Sequence, residues 1–205
     1  MVYVKIRRAL GGNLVYLISG GSALSKELCR FYLNMGIPVY QGYGMTECSP
    51  VISSSYKGVN AEGFVGKAFP GVMISIADNG EILVKSPGVM KCYHNKPEAT
   101  AEVIDKNGWF HTGDKGEINE SGMLKITGRL KEIFKTSNGK YVSPVKLEQM
   151  LIGYYLIDMA LIIGENYKFV SCILFLDPNH LGKLKEKSNK SQISNEDFVK
   201  EEEVV

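Results

Sequence analysis

Apolar residues come first in unbroken blocks and later in alternation, and the change divides the chain into regions. "NLVYLISGG" (13–21) is a continuous apolar run that ends in a glycine pair, the pattern of a buried strand. "SKELCRFYLNMG" follows with helical spacing. Leu24, Leu28 and Phe31 or Tyr32 share a face, Ser22 or Ser25 offers an N-cap, and Gly36 ends the helix. "IPVYQGYG" then returns to a strand, so residues 13–43 read as a βαβ unit, which predicts parallel strands with loops at their C-terminal ends.

From 64 to 127 a period of two takes over. "VMISIA", "EILVKS", "GEIN" and "MLKIT" are short alternating strands, punctuated by Asn79-Gly80 and Ser121-Gly122, and they predict an antiparallel arrangement. After Arg129 come a short strand "EIFKT", a glycine turn, and a helix opened by Ser143 as cap with Pro144 at its first position. "ALIIG" and "VSCILFLD" are strands of a small α+β module, and the polar tail from Asn179 reads as a helix cut short. The fold class is therefore mixed α/β and α+β. A βαβ layer and a small antiparallel subdomain occupy residues 1–128, and part of a small α+β domain occupies 129–205.

Composition narrows the partners. A chain of 205 residues with 44% hydrophobic content can fill a core. With 24 Lys and Arg against 22 Asp and Glu, the net charge of +2 gives no basic face for nucleic acid. Four scattered cysteines without a CxxC pair predict neither a zinc site nor a disulfide framework, which suits a reducing cytoplasmic home. The apolar runs are strand-length, so no membrane-spanning helix is expected. His94 and His180 read as surface residues. His111 has no acidic or Ser partner within sequence reach, so no triad is assigned.

Four glycine-rich turns close predicted strands: "SGGSA" (19–23), "QGYGMTE" (41–47), "HTGD" (111–114) and "SNGK" (137–140). Glycine lets backbone N–H groups approach phosphates and adenine edges, although a single such turn usually does no more than reverse the chain. None fits the Walker loop or the dinucleotide fingerprint. Their order is more specific. "YQGYGMTE", "GEILVKSPGVMKCYHNKPEAT", "GWFHTGD" and "GRLKEIFKTSNGKYVSPVKLE" in series resemble the AMP-forming acyl-activating ligase superfamily, and "FKTSNGKYVSP" is most similar to long-chain fatty acyl-CoA synthetases. The resemblance covers about residues 13–176.

The resemblance implies an acyl-CoA synthetase-like fold with ATP or AMP, Mg2+ and CoA at the site. Tyr43 would stack on adenine, Gly42 and Gly44 would let the backbone close on it, and Gln41 and Met45 flank them. Thr46 would bind the α-phosphate and Glu47 would hold Mg2+, as a hard carboxylate oxygen suits that ion. Gly20, Gly21, Ser22 and Ala23 would line the adenine and acyl pocket. Asp114 would accept from both ribose hydroxyls, Ile126 would flank the nucleotide, Arg129 would reach ribose or phosphate, and Lys135 the adenylate phosphate. Lys131 matches the family's hinge, and Gly139 with Lys140 would flank the pantetheine arm of CoA. Cys48 stands where the family often has Thr or Ser.

Two family parts lie outside the quoted motifs, a phosphate loop upstream and a catalytic Lys downstream, so the chain alone is expected to be inactive or nearly so. An apolar sheet edge and assembly with a missing N-terminal half follow from the same expectation. The implied activity is conversion of a fatty acid and ATP to acyl-AMP, then transfer to CoA, with peripheral membrane contact through the lipid substrate. Two other readings stay open: an adenylate-forming enzyme for aryl or amino acids that loads a carrier protein, and a non-catalytic nucleotide-binding module.

Overall fold

The computed structural model describes residues 2–22 and 24–199. The chain forms two compact units, Met1–Lys131 and Glu132–Val205.

The first unit opens with helix α1 (Val2–Ala9), followed by strand β1 (Leu17–Ser19), helix α2 (Lys26–Asn34) and strand β2 (Val39–Gly44). Strands β1 and β2 pair in parallel, Leu17 opposite Val39 and Ser19 opposite Gln41, which makes the expected βαβ unit. Ser25 is the cap of α2, its Oγ accepting the Leu28 N–H at 3.1 Å. The chain turns out of the helix through Gly36. Two details differ from the sequence reading. Strand β1 is three residues long because its partner begins at Val39, so residues 13–16 have no ladder to join. No residue of α2 is fully buried, and Leu28 and Phe31 stay exposed.

Strands β3 (Val51–Ser54) and β4 (Lys67–Ala68) extend this sheet antiparallel in the order β1-β2-β3-β4. A second four-stranded sheet, all antiparallel, holds β5 (Met73–Ile76), β6 (Glu81–Lys85), β7 (Phe110–Ile118) and β8 (Leu124–Arg129) in chain order, with helix α3 (Pro97–Val103) between β6 and β7. "GEIN" is the end of β7 and "MLKIT" most of β8, joined through Ser121-Gly122. Tyr43, Cys48, Ile52, Ile82, Val84, Phe110 and Leu124 form one buried cluster, so side chains from both sheets share a core. Backbone bonds from Val65 N–H to Leu124 O and from Leu124 N–H to Gly66 O, each 2.8 Å, tie the β4 approach to β8. Burying Ile52 and Ile82 completely contributes about 1.5–3 kcal/mol each by apolar transfer. As expected, β1 lies at the end of its sheet and shows an apolar residue, Ile18, to solvent.

The second unit pairs β9 (Phe134–Lys135) with β10 (Tyr141–Val142), and β11 (Ile157–Ile163) with β12 (Ser171–Leu176), both antiparallel. Helix α4 (Pro144–Ile152) begins with Pro144 at its first turn and Ser143 at the cap position, but the Ser143 side chain makes no cap bond. Helices α5 (Pro178–Lys187) and α6 (Asn195–Val199) follow. Asp177 caps α5 by accepting from Asn179 and His180 N–H. These backbone bonds, led by that of His180, lower the Asp177 pKa. Among the described residues the polar tail thus holds two helices, and α6 is the start of the helix read in "NEDFVKEEEVV", whose remainder lies outside the described residues.

Candidate functional site

Strand β2 runs into a 3-10 turn at Thr46–Cys48, and its last residues carry the first half of the site. Gly44 is required there: a Cβ on it would lie 1.8 Å from the Pro50 carbonyl oxygen, inside any permitted contact. Gly20 closes β1 beside it, its would-be Cβ 3.4 Å from Gly42 O, and Gly21 and Ser22 continue along the exposed loop. Ala23 lies outside the described residues. Gln41 is buried, its backbone N–H donating to Ser55 Oγ at 2.6 Å and its side-chain amide reaching Cys29 Sγ at 3.7 Å.

The second half comes from the β7–β8 hairpin, where Asp114 and Arg129 are register partners. The Asp114 carboxylate is buried. Its Oδ2 accepts the Tyr43 hydroxyl at 2.6 Å, and its Oδ1 lies 3.1 Å from Arg129 Nε. Tyr43 and Asp114 are 71 residues apart in sequence, so the sheet packing brings together two motifs that the chain keeps separate. Burial first, and the bond to Asp114 second, push the Tyr43 pKa up and keep its hydroxyl a donor. With only 8% of Tyr43 exposed, its ring is mainly core, and it belongs to the cluster of Ile52 and Phe110. Ile126 packs half-buried against the same cluster.

Thr46 is exposed at the start of the turn, and Met45 and Glu47 are half-buried. The Tyr93 hydroxyl donates to Glu47 Oε1 at 2.9 Å, and the Met90 N–H to the Glu47 carbonyl at 2.7 Å, so the "MKCY" segment (90–93) braces the turn. Burial, then the Glu47 bond, raise the Tyr93 pKa. Cys48 is buried, and burial followed by the charge of Glu47 pushes its pKa to about 11, which leaves it a thiol with little nucleophilic character. Among the described residues no group of three or more His, Cys, Asp or Glu side chains gathers to hold a metal ion. No helix among them is long and apolar enough to cross a membrane.

His111 finds in space a partner that lies beyond its sequence neighbourhood. Its Nδ1 lies 3.0 Å from Oε2 of the buried Glu81, an acidic partner 30 residues away that only the β6–β7 pairing supplies. His94 is exposed as expected, but His180 is half-buried, with Nδ1 2.9 Å from Asp177 Oδ2. Glu81 and Tyr93 escaped the motif reading. Tyr93 sits inside a quoted motif, where an aromatic next to Cys92 gave no sign of reaching residue 47.

Lys131, exposed, ends the first unit. In the second unit Lys135 holds its ammonium 5.4 Å from the centre of the Tyr141 ring. Gly139 and the exposed Lys140 form the turn that follows, with Gly139 N–H on Thr136 O at 2.9 Å.

The AMP-binding enzyme family matches residues 4–94, a span that contains Gly20, Tyr43, Thr46 and Glu47. Outside those residues the likeness continues. It is 40% identical over 191 residues to the long-chain-fatty-acid–CoA ligase FadD15 of Mycobacterium bovis, covering 93% of the chain and 32% of the relative. It is 35% identical over 194 residues to the peroxisomal long chain acyl-CoA synthetase 7 of Arabidopsis thaliana, covering 87% and 28%. The chain therefore spans about a third of the length of these curated relatives. Among solved structures, o-succinylbenzoate CoA synthetase of Bacillus subtilis in complex with its acyl-adenylate intermediate superposes with a TM-score of 0.73 at 25% identity, covering 94% of this chain and 44% of that one.

Proposed function

We propose that the protein to which this chain contributes is an AMP-forming ligase. It joins a long-chain fatty acid to ATP as acyl-AMP, releasing pyrophosphate, and then transfers the acyl group to CoA. The observation that carries this is the buried Asp114 carboxylate meeting Tyr43 from the "YGMTE" strand and Arg129 from "GRLKE". The fatty-acid and CoA parts rest on the 40% identity to a long-chain-fatty-acid–CoA ligase.

In this reading Asp114 accepts from the two ribose hydroxyls, a task for a group with several lone pairs and no competing donor. Arg129, on the solvent side of the carboxylate, steadies it and meets the ribose or phosphate. The exposed edge of Tyr43, with Gln41, Gly42, Gly44 and Met45 along its strand and Gly20, Gly21 and Ser22 beside it, borders adenine. Ile126 closes the apolar side. Thr46 donates its hydroxyl to the α-phosphate. Glu47 suits Mg2+, which takes one or two carboxylates together with phosphate oxygens, and when bound that ion neutralises charge on the phosphates. In the second unit Lys135 acts on the adenylate phosphate, Lys131 serves as the hinge, and Gly139 and Lys140 flank the pantetheine arm. The four unpaired thiols among the described residues suit a reducing cytosolic setting, and a lipid substrate brings peripheral membrane contact.

Pyrophosphate exchange with the whole protein tests the reading. Palmitate should support exchange, and Asp114→Ala should abolish it. Exchange with aryl or amino acids instead would point to an adenylating enzyme for another acid, and no exchange with AMP still bound would leave a nucleotide-binding module.

A further inference from the structure

Glu81 is a charged residue where the sheet would accept an apolar one. It is 7% exposed, and its two oxygens serve different partners on β7. Oε1 accepts the Gly113 backbone N–H at 2.9 Å, and Oε2 lies 3.0 Å from His111 Nδ1. Burying a carboxylate costs desolvation that an apolar residue of similar volume avoids, and its charge is tolerated only because both oxygens find partners.

Gly113 is where that arrangement acts. Its φ of +70° lies in the left-handed region that side chains avoid, and its peptide is held from two sides. Glu81 takes its N–H, and its own carbonyl accepts the Leu130 N–H at 2.8 Å. The segment also lies between two register shifts, one between Glu81 and Leu83 in the β6–β7 ladder and one between Lys115 and Gly116 in β7–β8. Ladder bonds alone therefore leave the Thr112–Asp114 backbone loosely specified. Thr112 adds a local constraint, donating to Ile82 O at 2.7 Å and accepting the Asp114 N–H at 3.1 Å.

We propose that Glu81 is a positioning residue for Asp114: by holding the Gly113 N–H it fixes the left-handed turn, and the turn aims the next side chain at the ribose hydroxyls. The proposal rests on the ribose reading of Asp114. Glu81 touches no nucleotide in this scheme; it acts through the backbone.

The test compares binding of AMP and 2′,3′-dideoxy-AMP to the whole protein by calorimetry, with thermal unfolding measured alongside. Two hydroxyls accepted by a carboxylate should make AMP bind at least about tenfold tighter than the dideoxy compound. Glu81→Ala is expected to reduce that preference to about threefold or less while dideoxy-AMP affinity holds within about twofold. Glu81→Gln keeps an oxygen for Gly113 and should retain most of the preference. Should Glu81→Ala fail to fold, Glu81→Met, which fills the volume without an acceptor, carries the same expectation. A merely structural Glu81 would lower the melting temperature and leave the ratio of the two affinities unchanged, and that result overturns the proposal. Asp114→Ala separates the two levels: an intact preference in that variant sinks the ribose reading itself, whereas its loss there with full retention in the Glu81 variants sinks only the role of Glu81.

Discussion

Asp114 and Arg129 face each other across the β7–β8 ladder, yet they live in different media: 7% of the Asp114 side chain is exposed and 64% of that of Arg129. Solvent screens the guanidinium, and the ion pair is worth less than its 3.1 Å separation suggests. The Tyr43 hydroxyl, on the other oxygen, has no such competition from water.

That asymmetry orders two substitutions. Tyr43→Phe removes a donor from a buried charge and should destabilise by about 1–3 kcal/mol. Arg129→Met should cost under about 1 kcal/mol. Denaturant midpoints at constant slope measure both, and a larger loss for Arg129→Met would show that the exposed pair dominates.

Alkaline pH should act through Tyr43. Its hydroxyl stays protonated in the folded chain above the ordinary tyrosine value of about 10, through burial first and Asp114 second, while the unfolded chain releases that proton near 10. The folded state then binds more protons than the unfolded, so the contribution of this group is complete below about pH 10 and is lost as pH rises beyond it. Unfolding midpoints recorded from pH 8 to 11 should fall, and Tyr43→Phe should flatten the fall.

Gly44→Ala should be severe although it adds a single methyl. The new atom meets Pro50 O at 1.8 Å, and the backbone between β2 and β3 must move to admit it. Loss of AMP binding with secondary structure retained by circular dichroism is expected. Gly58→Ala, which meets no atom within 4 Å but sits at a φ of +84° that Gly44 does not have, shows by contrast the cost of backbone strain without a clash.

Core truncation gives a contrast between faces. Ile82→Ala, in a fully buried position, should cost about 2–5 kcal/mol. Met73→Ala on the neighbouring strand, 54% exposed, should stay within about 0.5 kcal/mol, measured by the same midpoints.

The sequence was informative where one segment decides its own structure. Residues 17–44 announce strand, helix and strand through apolar spacing, the Ser25 cap and the Gly36 exit, and each is found. Helix α3 had its signal in Pro97 and Glu98, which the strand reading of that region passed over. Glu81 was illegible for a different reason. A period of two puts it on one face with Leu83 and Lys85, the outward-looking set, and only the arrival of β7 covers it. The meeting of Tyr43 with Asp114 came from the resemblance and not from any local pattern, because a contact spanning 71 residues leaves no periodicity to read. The paired carboxylate of His111 was hidden in the same way.

Tyr43 gives its ring to the interior and its hydroxyl to Asp114. If Tyr43 borders the nucleotide as proposed, thermal tolerance and nucleotide preference are written at one codon. Efforts to retune the protein toward another nucleotide by altering this aromatic would loosen the hydrophobic centre at the same stroke, and compensating changes would have to be sought around Ile52 and Phe110, which share its core.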